Sequence, residues 1–267
     1  MICLLRGEGS LKMKRTILAA TLVCATAAGV LTGCSGSKDT AGEASTAAVT
    51  TSPAPVTTAP KGPLDGLSAQ EISDKAVAAM TALTSATADG TAMDGKESAH
   101  LHITLAQSGK CLATVAEGGG TVHIISTLEY TYMKGDTTFW TSQGNDGTTL
   151  GNALHGRWLK IPGTAAANPD LKEFCDLKTF MGDITKDDGG AKTKGAPTRL
   201  DGQTVIPITE TGSHGKVVAY VADSATPYAL KVVDSGSGTV SFSGFDKPLH
   251  VYAPAPAETV SQSSLSL

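Results

Sequence analysis

The sequence predicts an α+β fold in which an amphipathic helix precedes a series of short antiparallel strands. Three observations support this class: a capping-box pattern opens a helical repeat near Leu67, short β-branched segments then recur every 8–12 residues, and helical spacing returns in mid-chain. Strands at that spacing pair with their chain neighbours through short turns, which makes them antiparallel. A helix before the strands and helices among them argue against a β-sandwich.

The first predicted element is a helix that begins after Ser68. Ser68 and Glu71 stand at capping-box spacing, at which each side chain can bond the other residue's backbone amide. Apolar residues then recur at helical intervals along one face: Ile72, Ala76, Met80 and Leu83. The pattern predicts a helix of about four turns with a single buried stripe.

Strand-like segments make up most of the remaining chain. In chain order they are 100–105, 111–117, 121–133, 157–161, 198–200, 203–209, 216–222, 228–233 and 239–245. Residues 169–184 have helical spacing and are expected as two short helices broken near Cys175. Asp201-Gly202 predicts a tight hairpin turn. Gly118-Gly119-Gly120 predicts a β-turn, because the Gly-Lys-Ser/Thr of a phosphate loop does not follow it.

The N-terminus is typical of an export signal that ends in a lipid-attachment box. Positive charges come first, at Lys12, Lys14 and Arg15. Residues 16–31 are uncharged and fall short of the roughly 20 residues that span a bilayer. The segment ends in Leu-Thr-Gly-Cys at 31–34, which resembles the lipobox of bacterial lipoproteins. In that family the cysteine thiol receives a diacylglycerol and the signal is cut before it. A secretory signal with a chance Gly-Cys pair is the alternative.

The chain is expected to hold a signal peptide, a tether, a folded domain and a disordered tail, in the order 1–33, 34–66, 67–252 and 253–267. Met13 is favoured as the true start, and Cys34 is the predicted lipidation site. The tether is rich in Ser, Thr, Ala and Pro and buries too little apolar surface to offset its chain entropy. The protein is therefore expected on the outer face of the cytoplasmic membrane, held there by its acyl chains.

Composition and motifs argue against several function classes. A mean hydropathy of +0.01 excludes a polytopic membrane protein. The 21 Lys and Arg residues against 25 Asp and Glu residues leave no basic block for a nucleic-acid partner. Neither a Gly-x-Ser-x-Gly nor a His-Glu-x-x-His motif is present. We therefore predict no catalytic residue, no cofactor and no metal site, and we expect a monomer.

The order of motifs resembles that of predicted lipoproteins from actinobacteria and, more remotely, the mycobacterial LppX/LprG lipoproteins and LolA-type carriers. The resemblance covers residues 67–250. It is carried by Ser68–Ile72, Val122–Ile125, Tyr132–Lys134, Phe139-Trp140, Gly156–Lys160, Tyr220–Ala222 and Pro227–Lys231. It implies a strongly curved antiparallel sheet, an incomplete barrel, covered on its concave side by helices. Some of these relatives carry lipids in the cavity between sheet and helices.

Two cysteines of the expected domain form a candidate disulfide. Cys111 and Cys175 are an even pair that remains outside the cell membrane after maturation. That compartment is oxidising, so a bond between them is expected. Two buried free thiols are the alternative.

The candidate ligand-binding residues lie on one strand and in two aromatic motifs. Side chains alternate along a strand, so three apolar residues share one face, which should point at the helices: Leu101, Ile103 and Leu105. If that face lines a carrier cavity, the largest aromatic residues can form its wall or its mouth: Phe139, Trp140 and Trp158. The partner would then be a lipid or another apolar small molecule. Alternatively the same residues fill a core, and the domain is a ligand-free structural or interaction module.

His100 and His102 share the opposite face of that strand. Two imidazoles can begin a metal site, but no third ligand is close in the sequence. A solvated sheet face is the favoured interpretation.

Overall fold

A computed structural model of the protein describes residues 62–94, 97–163, 169–187, 189–212 and 215–265. The predicted signal peptide, Cys34 and most of the predicted tether lie outside the described residues. Within the described ranges, no helix combines the length and the apolar composition that crossing a membrane requires.

The described chain forms five α-helices, thirteen strands and two short 3-10 helices, Pro256–Glu258 and Gln262–Ser264. The helices α1 to α5 are Ala69–Thr81, Thr137–Ser142, Gly144–Leu154, Pro169–Phe174 and Leu177–Ile184. The strands β1 to β13 are Ser85–Asp94, Glu97–Ala106, Cys111–Glu117, Gly120–Ser126, Tyr130–Gly135, Trp158–Pro162, Ala191–Lys194, Thr198–Leu200, Gln203–Gly212, Gly215–Ala222, Ala229–Asp234, Gly238–Ser243 and Thr259–Ser261.

All strands belong to one sheet in the order β13-β6-β5-β4-β3-β2-β1-β12-β11-β10-β9-β7, with β8 also paired to β9. Every pair is antiparallel except β13 with β6, which is parallel. The sheet is curved. It is also unclosed, because β13 and β7 are its two edges. The predicted α+β class is confirmed, and so is the curved antiparallel sheet with a layer of helices.

Helix α1 begins as the sequence predicts. The Ser68 hydroxyl accepts a hydrogen bond from the Glu71 amide at 3.2 Å, and the Glu71 carboxylate accepts one from the Ser68 amide at 2.8 Å. These bonds from the Ser68 amide and hydroxyl hold the pKa of Glu71 below its usual value. The buried stripe consists of Ile72, Ala76 and Met80.

The main core lies on the face of the sheet that the helices cover, which we call the inner face. Five neighbouring strands contribute side chains in register: Ile103, Ala113, Ile124, Met133 and Leu159. Helices α3, α4 and α5 add buried side chains from above: Leu150, Leu154, Leu171, Leu177 and Met181. Removing this apolar surface from water is the main favourable contribution to folding.

Three parts of the fold differ from the sequence prediction. The single strand predicted at 121–133 is two strands, β4 and β5, joined by a turn. Strand β1 was not predicted, since Ala86 and Ala88 are small and Gly90 interrupts the pattern. Gly90 is needed there, because a Cβ atom would overlap the carbonyl of Thr239 on β12. Helices α2 and α3 were also not predicted.

The prediction of a disordered tail at 253–267 is wrong for the described residues. Strand β13 pairs with β6, with Val260 beside Leu159. Val260 and Leu265 also pack against the main core. The physical reason is that β6 would otherwise be an exposed edge, and the short strand β13 satisfies its free backbone groups.

The folded domain also begins earlier than the predicted residue 67. Leu64 is buried at 3% exposure in a second core with α1, β9 and β10. Its amide donates a hydrogen bond to the Asp223 carboxylate at 3.0 Å. The Lys194 ammonium donates to three carbonyl oxygens, those of Leu64, Asp65 and Leu67, at 2.9, 2.8 and 3.0 Å. The chain is therefore clamped to β7 and β10 where it enters the domain.

Replacing Lys194 by alanine should lower the free energy of unfolding by about 1–2 kcal/mol, because three carbonyls lose a charged donor. Thermal or urea unfolding measures this loss, and hydrogen exchange should quicken around Leu64. Lys216→Ala is the control, because Lys216 is exposed at the start of β10 and its loss should change stability by less than about 0.5 kcal/mol. Equal effects of the two variants would contradict the clamp.

Candidate functional site at the open end of the sheet

A second row of inner-face residues crosses β2 to β6. It lies near the end of the sheet at which β2, β4 and β6 end. In register these residues are Leu105, Cys111, Ser126, Thr131 and Ile161. The row lies one level nearer this end than the core row that contains Ile103. Ser126 and Thr131 introduce hydroxyl groups into a face that is otherwise apolar.

A cavity of about 170 Å³ opens at this end of the sheet, next to the polar pair. Leu128, Pro162 and Leu171 form its apolar wall, and Ser126 and Thr131 contribute hydroxyl groups. The site therefore combines apolar contact with hydrogen-bonding capacity. That combination suits an amphiphilic molecule better than a pure hydrocarbon.

The rim of the cavity carries charge and sits on helix α4. Lys172 lies in α4, and Asp176 lies directly before α5. The Asp176 carboxylate accepts a hydrogen bond from the Thr179 amide at 2.7 Å, which caps α5. Lys172 is therefore the cation of this rim that a bound anionic group can approach.

Thr131 is the most informative residue of the cavity. Its side chain is only 5% exposed, and in the described part of the chain its hydroxyl has no hydrogen-bond partner. Ser126 is 7% exposed and donates to the Gly109 carbonyl over a long 3.4 Å. A buried hydroxyl without a partner costs about 1–3 kcal/mol. Such groups in folded proteins usually meet a ligand or an ordered water.

Leu128 lies in the turn between β4 and β5, at the mouth of the cavity. Its φ angle is +86°, in the left-handed region that favours glycine, and its side chain is 49% exposed. That backbone conformation costs roughly 1–3 kcal/mol for a non-glycine residue. The side chain packs near Gly109, whose own φ is +85°. The turn thus holds an apolar side chain at the surface in a strained conformation.

The predicted disulfide between Cys111 and Cys175 is confirmed. The two Cα atoms are 5.5 Å apart, and both residues are buried. The bond joins the start of β3 to the junction of α4 and α5, and Cys175 also lines the cavity. The helical wall of the cavity is therefore covalently attached to the sheet beneath it.

The predicted ligand residues of β2 belong to the main core or pack against it. Ile103 and Leu105 are 0% and 1% exposed, and Leu101 is partly buried against the same core. None of the three lines the cavity, but Leu105 stands in the same cross-strand row as Thr131. Their role in ligand binding stays a prediction.

The predicted aromatic residues lie away from the cavity. The rings of Phe139 and Trp140 meet edge to face, with their centroids 4.9 Å apart. The Trp140 indole donates a hydrogen bond to the Gly135 carbonyl at 3.0 Å. Gly135 ends β5, so this pair packs at the opposite end of the sheet. Trp158 is half-buried on β6, with the Lys134 ammonium 5.9 Å from its ring. The structure does not bring these three residues together with Leu101, Ile103 and Leu105 around one cavity.

His100 and His102 are on the outer face of the sheet, beside a carboxylate that the sequence spacing did not reveal. Asp89 of β1 lies 2.8 Å from His102 Nδ1 and 3.7 Å from His100 Nε2. All three side chains are about half exposed. Across the residues that the structure describes, no group of three His, Cys, Asp or Glu side chains could hold a metal ion. The contact is a surface hydrogen bond.

Asp246 braces the loops at the same end of the sheet as the cavity. Its carboxylate accepts hydrogen bonds from the Thr84 amide at 2.8 Å, the Thr84 hydroxyl at 2.9 Å and the Tyr228 hydroxyl at 3.0 Å. The bonds from Thr84, with that from Tyr228, lower the pKa of Asp246. The Tyr228 ring stacks on the Phe245 ring, with the two ring centroids 4.3 Å apart. This network joins the segment between α1 and β1 to the residues just before β11 and just after β12.

Comparison with solved structures finds distant matches. LprF from Mycobacterium bovis matches with a TM-score of 0.48 and 16% identity, over 70% of this chain and 97% of that one. A domain assigned to outer-membrane lipoprotein sorting, from Vibrio parahaemolyticus, has a TM-score of 0.24 and 12% identity, over 67% of this chain and 93% of that one. A LolA superfamily protein from Nitrosomonas europaea has a TM-score of 0.19 and 12% identity, over 69% of this chain and 96% of that one.

No protein-family profile and no curated protein sequence matches the chain.

Replacing Cys111 and Cys175 together by alanine should lower the free energy of unfolding by about 4 kcal/mol, because the loop of 64 positions no longer restricts the unfolded chain. Urea unfolding with and without reductant measures the change. Wild type in reductant should unfold like the double variant. Coincident unfolding of the variant and the oxidised wild type would show that the bond does not stabilise the domain.

Proposed function

We propose that this protein is an extracytoplasmic lipoprotein, anchored on the outer face of the cytoplasmic membrane through Cys34, whose domain binds a lipid or another apolar molecule. The anchor is supported by the positive n-region, the uncharged segment and the lipobox at 31–34. Two acyl chains suffice for stable attachment. The segment between Cys34 and Gly62 then displays the domain as a tether.

Replacing Cys34 by alanine should abolish acylation, because the thiol is the acceptor of the diacylglycerol. Metabolic labelling with a clickable fatty acid should lose its band, and the precursor should keep its signal peptide. A Ser35→Ala variant should label normally. Labelling of the Cys34 variant would show that acyl chains attach elsewhere.

The binding function rests chiefly on Thr131. A hydroxyl that is almost fully buried, lines a cavity and lacks a protein partner is stabilised when a ligand supplies one. Leu128, Leu171 and Pro162 offer apolar contact around it. A ligand with an ester, hydroxyl or carboxyl group beside an acyl chain fits both requirements.

The acyl chain of such a ligand would run along the inner face, away from the mouth. The register leads from Thr131 to Leu105 in the same row, then to Ile103 and Leu101 farther along β2. A volume of about 170 Å³ is below the roughly 300–1,000 Å³ of sites that enclose a whole small molecule. Full insertion therefore requires α4 and α5 to move away from the sheet.

We propose a binding role and not a catalytic one for this site. The Ser126 hydroxyl donates to a backbone carbonyl, so no side-chain base activates it as a nucleophile. The rim carboxylate of Asp176 caps α5. The proposed active species is a monomer.

The Thr131→Val variant tests the hydroxyl directly. Valine keeps the shape and the strand preference but removes the hydrogen-bonding group. We expect the purified variant to be as stable as wild type, and to lose most of the lipid that organic extraction and mass spectrometry detect in wild type. Thr131→Ser keeps the hydroxyl and should retain the ligand. Equal ligand content in the valine and serine variants would contradict the proposed contact.

A ligand-free structural or interaction domain is the second candidate. It is favoured by the complete burial of Ile103 within a filled core. Ile103→Trp separates the two functions. In a carrier whose inner face opens, the variant stays folded and the extractable lipid disappears. In a packed domain the larger side chain costs about 1–3 kcal/mol of stability, and wild type yields no ligand.

A further inference from the structure

The chain enters the domain at the same end of the sheet at which the cavity opens. Neighbouring strands alternate in direction, so β2, β4, β6 and β10 all end on one side. Asp223, which follows β10, holds the incoming Leu64. The turn residues Gly109, Leu128 and Gly163, which line the cavity, follow β2, β4 and β6. The anchored segment and the cavity mouth therefore share one end of the domain.

That end also carries an exposed apolar side chain in a strained turn. Among the described residues the large hydrophobic side chains with the greatest exposure are Met93, Leu128 and Tyr252. Leu128 is the one at the cavity mouth, and its φ of +86° would suit glycine better. Strained residues of this kind cluster at ligand-binding and switch regions of proteins. Lys172 of α4 also lines this cavity.

We propose that this end of the domain docks on the lipid bilayer that holds the chain's own anchor, with Leu128 entering the headgroup layer. The cavity then opens directly onto the membrane, and a lipid can pass between bilayer and cavity without crossing water. This inference rests on the proposed anchoring at Cys34. An apolar side chain gains burial at the headgroup boundary, and a neighbouring lysine can meet lipid phosphates.

The length of the chain outside the structure allows this contact. Cys34 and Gly62 are 28 positions apart, which limits the separation to roughly 95 Å for any conformation. The clamp formed by Lys194 and Asp223 fixes the point from which that distance is counted. The domain can therefore reach the bilayer, and the end nearest to its attachment point is the end with the cavity.

Site-specific fluorescence on anchored protein tests the docking. In the chain from residue 34 onward, a hexahistidine sequence replaces Cys34 and binds vesicles that contain nickel-chelating and anionic lipids. A single cysteine is introduced by Leu128→Cys and carries an environment-sensitive dye, because Cys111 and Cys175 are bonded to each other. Met93→Cys is the matched control. Met93 is 48% exposed and Leu128 is 49% exposed, but Met93 lies at the other end of the sheet.

Docking predicts that the label at Leu128 shifts to shorter wavelength and is quenched by lipids brominated near the headgroup, whereas the label at Met93 shows neither change. A label introduced by Ser108→Cys, at an exposed residue that also lines the cavity, should respond like the label at Leu128 and needs no change in the strained turn. Labels that all stay unquenched, or that are all quenched equally, would overturn the proposal. Since the tag replaces the acyl chains, this result is independent of whether Cys34 is acylated or Thr131 binds a ligand.

Discussion

A sheet with one apolar face is stable in water only when something covers that face, and here the cover over the cavity end consists of two short helices. Helices α4 and α5 have 6 and 8 residues. Isolated helices of that length do not form in water, because nucleation outweighs so few hydrogen bonds. Their helicity depends on Leu171, Leu177 and Met181 packing on the sheet, and the bond between Cys111 and Cys175 keeps them in place.

This dependence explains why the candidate site lies where it does. The bond between Cys111 and Cys175 attaches the cover to the row of the inner face that also carries Ser126 and Thr131 in place of aliphatic residues. Apolar contacts therefore hold the cover over Ile103 and become fewer toward the mouth. A ligand that enters between cover and sheet must replace some contacts between them. Near the mouth it displaces weak packing, and farther inside it must displace dense packing.

Local chemistry made part of the fold predictable. Ser68 and Glu71 satisfy each other's backbone amides without help from distant residues, and Asp201-Gly202 adopts positive φ angles of 47° and 81° in its tight turn. The pairing of Cys111 with Cys175 was predicted from their number and from the expected oxidising compartment. These features depend on neighbours in the sequence or on simple counting.

Other features depend on tertiary contacts that the sequence does not display. Strand β1 is held by its neighbours on both sides, although Ala86, Ala88 and Gly90 have little strand preference of their own. Strand β13 forms because an edge is available to it. Thr131 alternates with two tyrosines as a strand residue should, but only the placement of α4 turns its face into a cavity wall. The aromatic residues were expected at the mouth because of their size, whereas Phe139 and Trp140 fill the opposite end.

The attachment point of the tether has a mechanical consequence. If the chain is anchored at Cys34 as proposed, a pull on the segment before the domain enters it at Leu64 and is carried by the Lys194 and Asp223 hydrogen bonds to β7 and β10. These strands lie toward one edge of the sheet, and β3 and its disulfide lie five strands beyond β10. Such a pull would therefore strain the β7 side of the sheet first. The cavity, braced by a covalent bond on the far side, would keep its shape until the attachment itself had given way.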